Sequence, residues 1–143
     1  MLSKTCTYAI RAMIYVCIES IQNHKVGVKA IAEEIQSPEA FTGKILQNLS
    51  RRGLINSTKG PKGGFYLDES QQQVKLLEIV TSLEGDHILT SCGLGFDFCS
   101  DEHPCPLHSH FKTIKEDYIR MLNTTSISDL SQGIGTGASY LHL

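Results

Sequence analysis

An amphipathic helix that stops at a glycine and runs into two short strands around a glycine-rich tip is the pattern that most restricts this chain. From Pro38 to about Arg52, the side chains of Phe41, Ile45, Leu46 and Leu49 fall on an arc of roughly 140° at 100° per residue, and Gly53 supplies the stop. The opposite side carries Ala40, Gly43, Lys44, Gln47 and Arg51, small at its start and polar or cationic further on. Pro38 suits a first helical position, with Ser37 as N-cap and Glu39 near the positive end of the helix dipole. Leu54–Lys59 and Phe65–Leu67 read as strands flanking Gly60-Pro61-Lys62-Gly63-Gly64. Such a tip lets backbone amides, as at Gly63, approach phosphates unobstructed, while Lys59 and Lys62 supply charge. Upstream, Val28–Ile35 reads as a short helix with Val28, Ile31 and Ile35 on one side, separated from the next by Gln36-Ser37-Pro38. Helix, tight turn, helix with a basic outer face, then a hairpin wing is winged helix-turn-helix geometry. A nucleotide-binding loop is the poorer reading, because this tip joins two strands and lacks the Gly-Lys-Ser/Thr ending.

Charge agrees with that geometry. Residues 1–67 carry nine Lys/Arg against four acids, and the rest of the chain carries four against eleven. No acid occurs between Ala40 and Leu67. A basic stretch in a chain of net charge −2 points to one surface built for a polyanion.

The remaining segments assemble around this unit. Tyr8, Ala9, Ala12, Met13, Tyr15, Val16 and Ile18 are too dense for a surface helix, so Thr5–Ile21 is expected to be largely buried, with Cys17 acting as a small hydrophobe. Val74–Leu83 reads as another packed helix, ended by Gly85. Residues 86–105 show no period and read as an irregular loop. Pro106 then opens a long helix with Leu107, Phe111, Ile114, Tyr118, Met121 and Leu122 on one near-heptad stripe, whose economical partner is the same helix of a second subunit. Ser131–Ser139, with three glycines, reads as a flexible tail. The expected organisation is a DNA-binding domain over 1–85, a cysteine-rich loop and dimerisation helix over 86–130, and a tail over 131–143. The fold class is mainly α with a small β-hairpin wing and a long C-terminal dimerisation helix.

With 143 residues, one domain with its own core is the expectation. The longest apolar run, Ala12–Ile18, is far short of the twenty or so residues of a membrane span, and Arg11 interrupts any signal-peptide-like region. A cytoplasmic location is expected. Five cysteines cannot all pair within one chain, and three of them, Cys92, Cys99 and Cys105, fall within fourteen residues beside His103, His108 and His110.

Taken together these residues resemble the Rrf-type winged-helix regulators, the group of the iron-sulfur cluster regulator, the nitric-oxide-sensing repressor and the cysteine-metabolism repressor. The resemblance rests on Thr7-Tyr8-Ala9-Ile10-Arg11-Ala12, on Lys44-Ile45-Leu46-Gln47-Asn48-Leu49 with Gly53-Leu54-Ile55, and on the wing Lys59–Leu67. Leu83-Glu84-Gly85, the three cysteines and Cys105-Pro106-Leu107-His108 extend it. It implies a dimeric transcription regulator, usually a repressor, binding a roughly palindromic site on double-stranded DNA. Ala40, Gly43, Lys44, Gln47, Arg51, Lys59, Lys62 and Gly63 are the expected contacts. Where such regulators carry serine or glutamate at the start of the recognition helix this chain has Ala40 and Gly43, so its target sequence is expected to differ.

Thiolates are the usual ligands of iron-sulfur clusters, and the resemblance implies a cluster on Cys92, Cys99 and Cys105 with His108, three residues after the last cysteine, as fourth ligand. The nitric-oxide-sensing branch instead uses an N-terminal aspartate for a four-iron cluster. The matching position here is Thr7, a poor substitute, which favours His108 and a two-iron cluster and leaves Cys6, His103 and His110 as spare ligands. Three rival readings stand beside it: structural zinc, against which the gaps of six and five residues count; a thiol switch without metal; and surplus cysteines without a role. Catalysis is not expected, because a Cys105–His108 pair has neither an orienting third group nor an oxyanion site. A protein-binding winged-helix module is the alternative to DNA binding.

Overall fold

A computed structural model describes residues 2–141. Helix α1 (Lys4–Ile21) is its axis: Ser3 caps it by accepting from the Cys6 amide, and Cys6, Ala9, Ile10, Ala12, Met13, Ile14, Val16 and Cys17 are all buried along it. Against it pack α2 (Val28–Glu34), α3 (Glu39–Arg51) and, from the antiparallel hairpin of β1 (Asn56–Thr58) and β2 (Gly64–Tyr66), strand β2; the single turn α4 (Glu69–Gln72) follows. α5 (Leu76–Glu84), the short α6 (His87–Thr90), the long α7 (His108–Thr124) and α8 (Ile127–Gly135) complete the chain. The hairpin pairs Ser57 with Phe65, and Val26, just before α2, adds a third edge through two backbone bonds to Phe65. The two strands are shorter than the sequence suggests because Leu54, Ile55 and Leu67 turn into the core instead of extending the ladder.

Chain direction is set by one repeated terminator. α1, α2, α3 and α8 each end with a left-handed residue, Asn23, Gln36, Gly53 and Gly137, whose following amide bonds back to the carbonyl of the last turn. This paired-bond ending satisfies carbonyls that would otherwise be orphaned. It also revises the expected start of α3. The Ser37 amide closes α2, donating to Ala32 O at 2.9 Å, and α3 begins with the Thr42 amide donating to Pro38 O, so Pro38 rather than Ser37 holds the N-cap position. Among the described residues the buried Ser37 Oγ has no partner, and Thr42, buried in the first turn, donates its hydroxyl to Pro38 O at 2.9 Å.

The glycine-rich stretch is not a tail over its first residues. Ser126 and Asp129 form a reciprocal capping box, and the helix that follows lays Ile127, Ser128 and Ser131 onto α1 beside Cys17. Small residues suit it, because they let two backbones approach closely. The long stripe expected on α7 is likewise divided: Leu122 is fully buried and Tyr118 half-buried against the protein's own core, whereas Leu107, Ile114 and Met121 remain exposed.

Gln36 holds φ 55°, a conformation costly for any side chain and free for glycine. Replacing Gln36→Gly is expected to stabilise the protein by about 1 kcal/mol, read as a rise of a few degrees in the thermal midpoint.

Candidate nucleic-acid interface and metal centre

α3 leaves Ala40, Lys44, Gln47 and Arg51 exposed on the side away from the core, while Phe41 packs edge-on against Tyr8 with ring centroids 5.7 Å apart. Gly43 differs from its expected neighbours: it is half-buried, and a Cβ placed there would sit 3.7 Å from Val28 Cγ1 of α2. Between α3 and the wing lies an open cleft lined by Gln47, Ser50, Arg51, Ser57 and Phe65. The wing tip is a tight turn, closed by the Gly63 amide donating to Gly60 O at 2.9 Å with Pro61 following Gly60. A Cβ on Gly63 would lie 2.3 Å from Thr58 O, and Gly64, at φ 138°, is pressed against the Val26 backbone. Lys59 and Lys62 project as exposed cations. Lys25 joins them, with its ammonium 4.9 Å from the Tyr66 ring centre and 3.3 Å from Thr58 Oγ1, a neighbour that only the hairpin's bridge to Val26 brings there.

The loop after α6 brings its three cysteines together. The sulfurs of Cys92, Cys99 and Cys105 all lie within 4.8 Å of one another, and the Cys92–Cys105 separation is 3.7 Å. That matches the edge, roughly 3.8 Å, of a tetrahedron of sulfurs about 2.3 Å from a central ion, and far exceeds a disulfide bond of about 2 Å. All five cysteines are free thiols. His108, the first residue of α7, places Nδ1 3.0 Å from Cys99 Sγ and Nε2 2.9 Å from Asp101 Oδ1. The Cys99 thiol is lowered to about 7, first by the Cys105 amide that donates to it at 3.4 Å and then by His108; desolvation moves Cys105 the other way. His108 is raised by the same contact with Cys99 and by Asp101. The donors are therefore soft and convergent, with Cys99 poised to ionise near neutral pH, which fits a thiolate-bound metal or cluster.

Of the spare ligands, Cys6 is fully buried in α1 and its thiol is pushed up to about 11 by burial, which removes it from consideration. His103 and His110 are exposed and stand outside the sulfur group, as does Thr7 on α1.

The loop is held to α7 along a single face. His108 meets Cys99, the Phe111 ring fills the space where a Cβ on Gly93 would be, Lys112 ion-pairs with Asp101 at 2.8 Å, and Lys115 donates to Ser91 O. The spacing 108, 111, 112, 115 is one helical stripe. Asp101 and Lys112 had no sequence signal: an acid in an irregular loop and a lysine on an amphipathic helix are ordinary until the loop is docked.

Residues 2–133 match Rrf2, described as an iron-dependent transcriptional regulator. The chain belongs to the Rrf2 family. Among its relatives, an Aquifex aeolicus protein named as an HTH-type transcriptional regulator is 29% identical over 130 residues, covering 90% of this chain and 89% of the relative. The HTH-type transcriptional regulator IscR of Yersinia pestis is 24% identical over 123 residues, covering 86% and 74%. In fold, CymR, the global cysteine regulator of B. subtilis, aligns with TM-score 0.75 at 22% identity over 92% of this chain and 96% of that one. T. potens IscR aligns with TM-score 0.73 at 22% identity over 98% and 92%. This Rrf2 chain is therefore a winged-helix, DNA-binding transcription regulator rather than an enzyme. Among the described residues no helix is long and apolar enough to cross a membrane.

In metal-free protein, Cys99 is expected to alkylate before Cys105, with a rate rising through a midpoint near pH 7 as the thiolate forms, whereas Cys6 and Cys17 stay unlabelled until denaturation; peptide mapping after timed iodoacetamide treatment reads this. Gly63→Ala is expected to destabilise by about 1–3 kcal/mol through overpacking. Gly43→Ala, free of clash and gaining helix propensity, is expected to be neutral or stabilising by up to about 1 kcal/mol in the same denaturant titration.

Proposed function

We propose that this Rrf2 protein is a homodimeric, cytoplasmic regulator, acting as a repressor, that reads redox, nitric-oxide or iron-sulfur status through a cluster on its cysteine loop. The observation carrying this reading is the convergence of the Cys92, Cys99 and Cys105 sulfurs, with His108 at the start of α7 touching Cys99. Cys92, Cys99, Cys105 and His108 would hold the cluster, and Thr7, standing where the four-iron branch uses an aspartate, favours a two-iron form over a four-iron one. When bound, such a cluster supplies one-electron redox chemistry and reactivity toward nitric oxide. The protein's part is mechanical. Residues 1–85 form the DNA-binding unit and 86–130 the sensing loop and dimerisation helix; Leu107, Ile114 and Met121, exposed at seven-residue intervals, form the seam for a second copy. A change at the loop is felt by α7 through the 108–115 stripe and alters the spacing of two recognition helices.

On DNA, α3 enters the major groove with Ala40, Lys44, Gln47 and Arg51 foremost, and Gly43, turned partly toward Val28 of α2, offers only its backbone. Lys59, Lys62 and the Gly63 amide meet the backbone or minor groove, and two-fold symmetry calls for a roughly palindromic operator.

The test is anaerobic purification with iron, zinc and acid-labile sulfide measured beside the visible spectrum, followed by duplex-DNA titration of wild type and Cys99→Ala. Iron with sulfide in wild type, loss of both in C99A and a changed DNA affinity are expected. Zinc alone, or no metal with a Cys92–Cys105 disulfide under peroxide, would replace the cluster with a structural ion or a thiol switch; identical DNA affinity in both proteins would remove sensing. Binding insensitive to salt would remove the DNA contact scheme.

A further inference from the structure

His108 is held from both sides. Its Nδ1 faces the sulfur group, and its Nε2 lies 2.9 Å from Asp101 Oδ1. The same carboxylate receives Lys112 from the next turn of α7, with Nζ at 2.9 Å from Oδ1 and 2.8 Å from Oδ2. Asp101 belongs to the loop, two residues after Cys99; His108 and Lys112 belong to the helix, one turn apart. A carboxylate at Nε2 fixes that nitrogen as the proton-bearing one and leaves the Nδ1 lone pair free to coordinate, and it raises the ring's basicity.

We infer that Asp101 is a positioning residue for the cluster site, orienting His108 and setting its donor strength, and that Lys112 moderates this effect by drawing the carboxylate's charge toward α7. The inference rests on the cluster reading above. Asp101 and Lys112 have opposite electrostatic effects at one point: the carboxylate pushes electron density through the imidazole, and the ammonium withdraws it. Removing each should therefore move the redox potential in opposite directions. If the pair were only a tether between loop and helix, both substitutions would loosen the site and move it in the same direction.

The experiment uses the full-length protein purified without oxygen. Asp101→Asn keeps size and an acceptor oxygen but removes the charge; Lys112→Met keeps the stem and removes the cation. Asp117→Asn, on the far part of α7 and paired with Arg120, is the control. For D101N, release of iron to a chelator is expected to accelerate about 10- to 100-fold, with a positive shift of the midpoint potential and an altered electron paramagnetic resonance spectrum of the reduced protein. K112M is expected to shift the potential negatively, and D117N to match wild type in every measurement. Unchanged iron release and potential in D101N, or shifts of the same sign in D101N and K112M, would overturn the inference. Should D101N fail to fold, as judged by circular dichroism, K112M decides alone: no shift, or a positive one, overturns it. Wild type lacking iron and sulfide would instead overturn the underlying reading, an outcome visible before any variant is made.

Discussion

A helix whose apolar arc exceeds half its circumference has to be covered by several partners, and α1 imposes that condition on the whole molecule. Its buried residues, from Cys6 to Cys17, span roughly 200° at 100° per residue, leaving Lys4, Thr7, Tyr8, Arg11 and Tyr15 on the outer side. α3 and α2 cover one side, α5 another and α8 a third, while β2 lies across its C-terminal part. There Ser20 links helix and wing, donating its hydroxyl to Val16 O and accepting the Leu67 amide at 2.9 Å. The recognition helix and the wing are thus both referenced to one rod, and their relative position is a property of the core rather than of the surface loops.

The same condition explains which parts of the fold were legible. Periodicity revealed α1, α2, α3, α5 and α7, because each has its own apolar pattern. The wing was legible from its glycines, which the backbone requires at φ 103° for Gly60 and φ 138° for Gly64. α8 was misread because composition was weighed and capping was not: Ser126 and Asp129 announce a helix start, Ile127, Ser128 and Ser131 are its buried side, and of the glycines beyond only Gly137, at φ 74°, acts as the stop. α4 was missed for a similar reason, its signal being the Asp68–Gln71 capping box and not any hydrophobic period. Ser37 was assigned to the helix it precedes, although its amide belongs to the helix it follows.

At the cysteine loop, spacing alone gathered the three cysteines but could not choose among histidines. His108 stands out by position, as the first residue of a long helix against which the loop is clamped, whereas His103 and His110 share its chemistry and lack its neighbours. Resemblance selected His108, and the structure supplies a physical reason in Cys99 on one nitrogen and Asp101 on the other. The stripe joining loop to helix was invisible in sequence because half of each contact lies in a segment without periodicity.

The steric state of the wing tip has an evolutionary corollary. Gly60, Gly63 and Gly64 are each fixed by backbone geometry or by a clash of their missing Cβ, and Pro61 sits in the turn they close. Lys62 is the one tip position whose side chain can vary without rebuilding the hairpin. On the proposed DNA-contact scheme, divergence in target preference among descendants of this chain is channelled into the exposed face of α3 and the cleft beside it, with the tip inherited nearly unchanged.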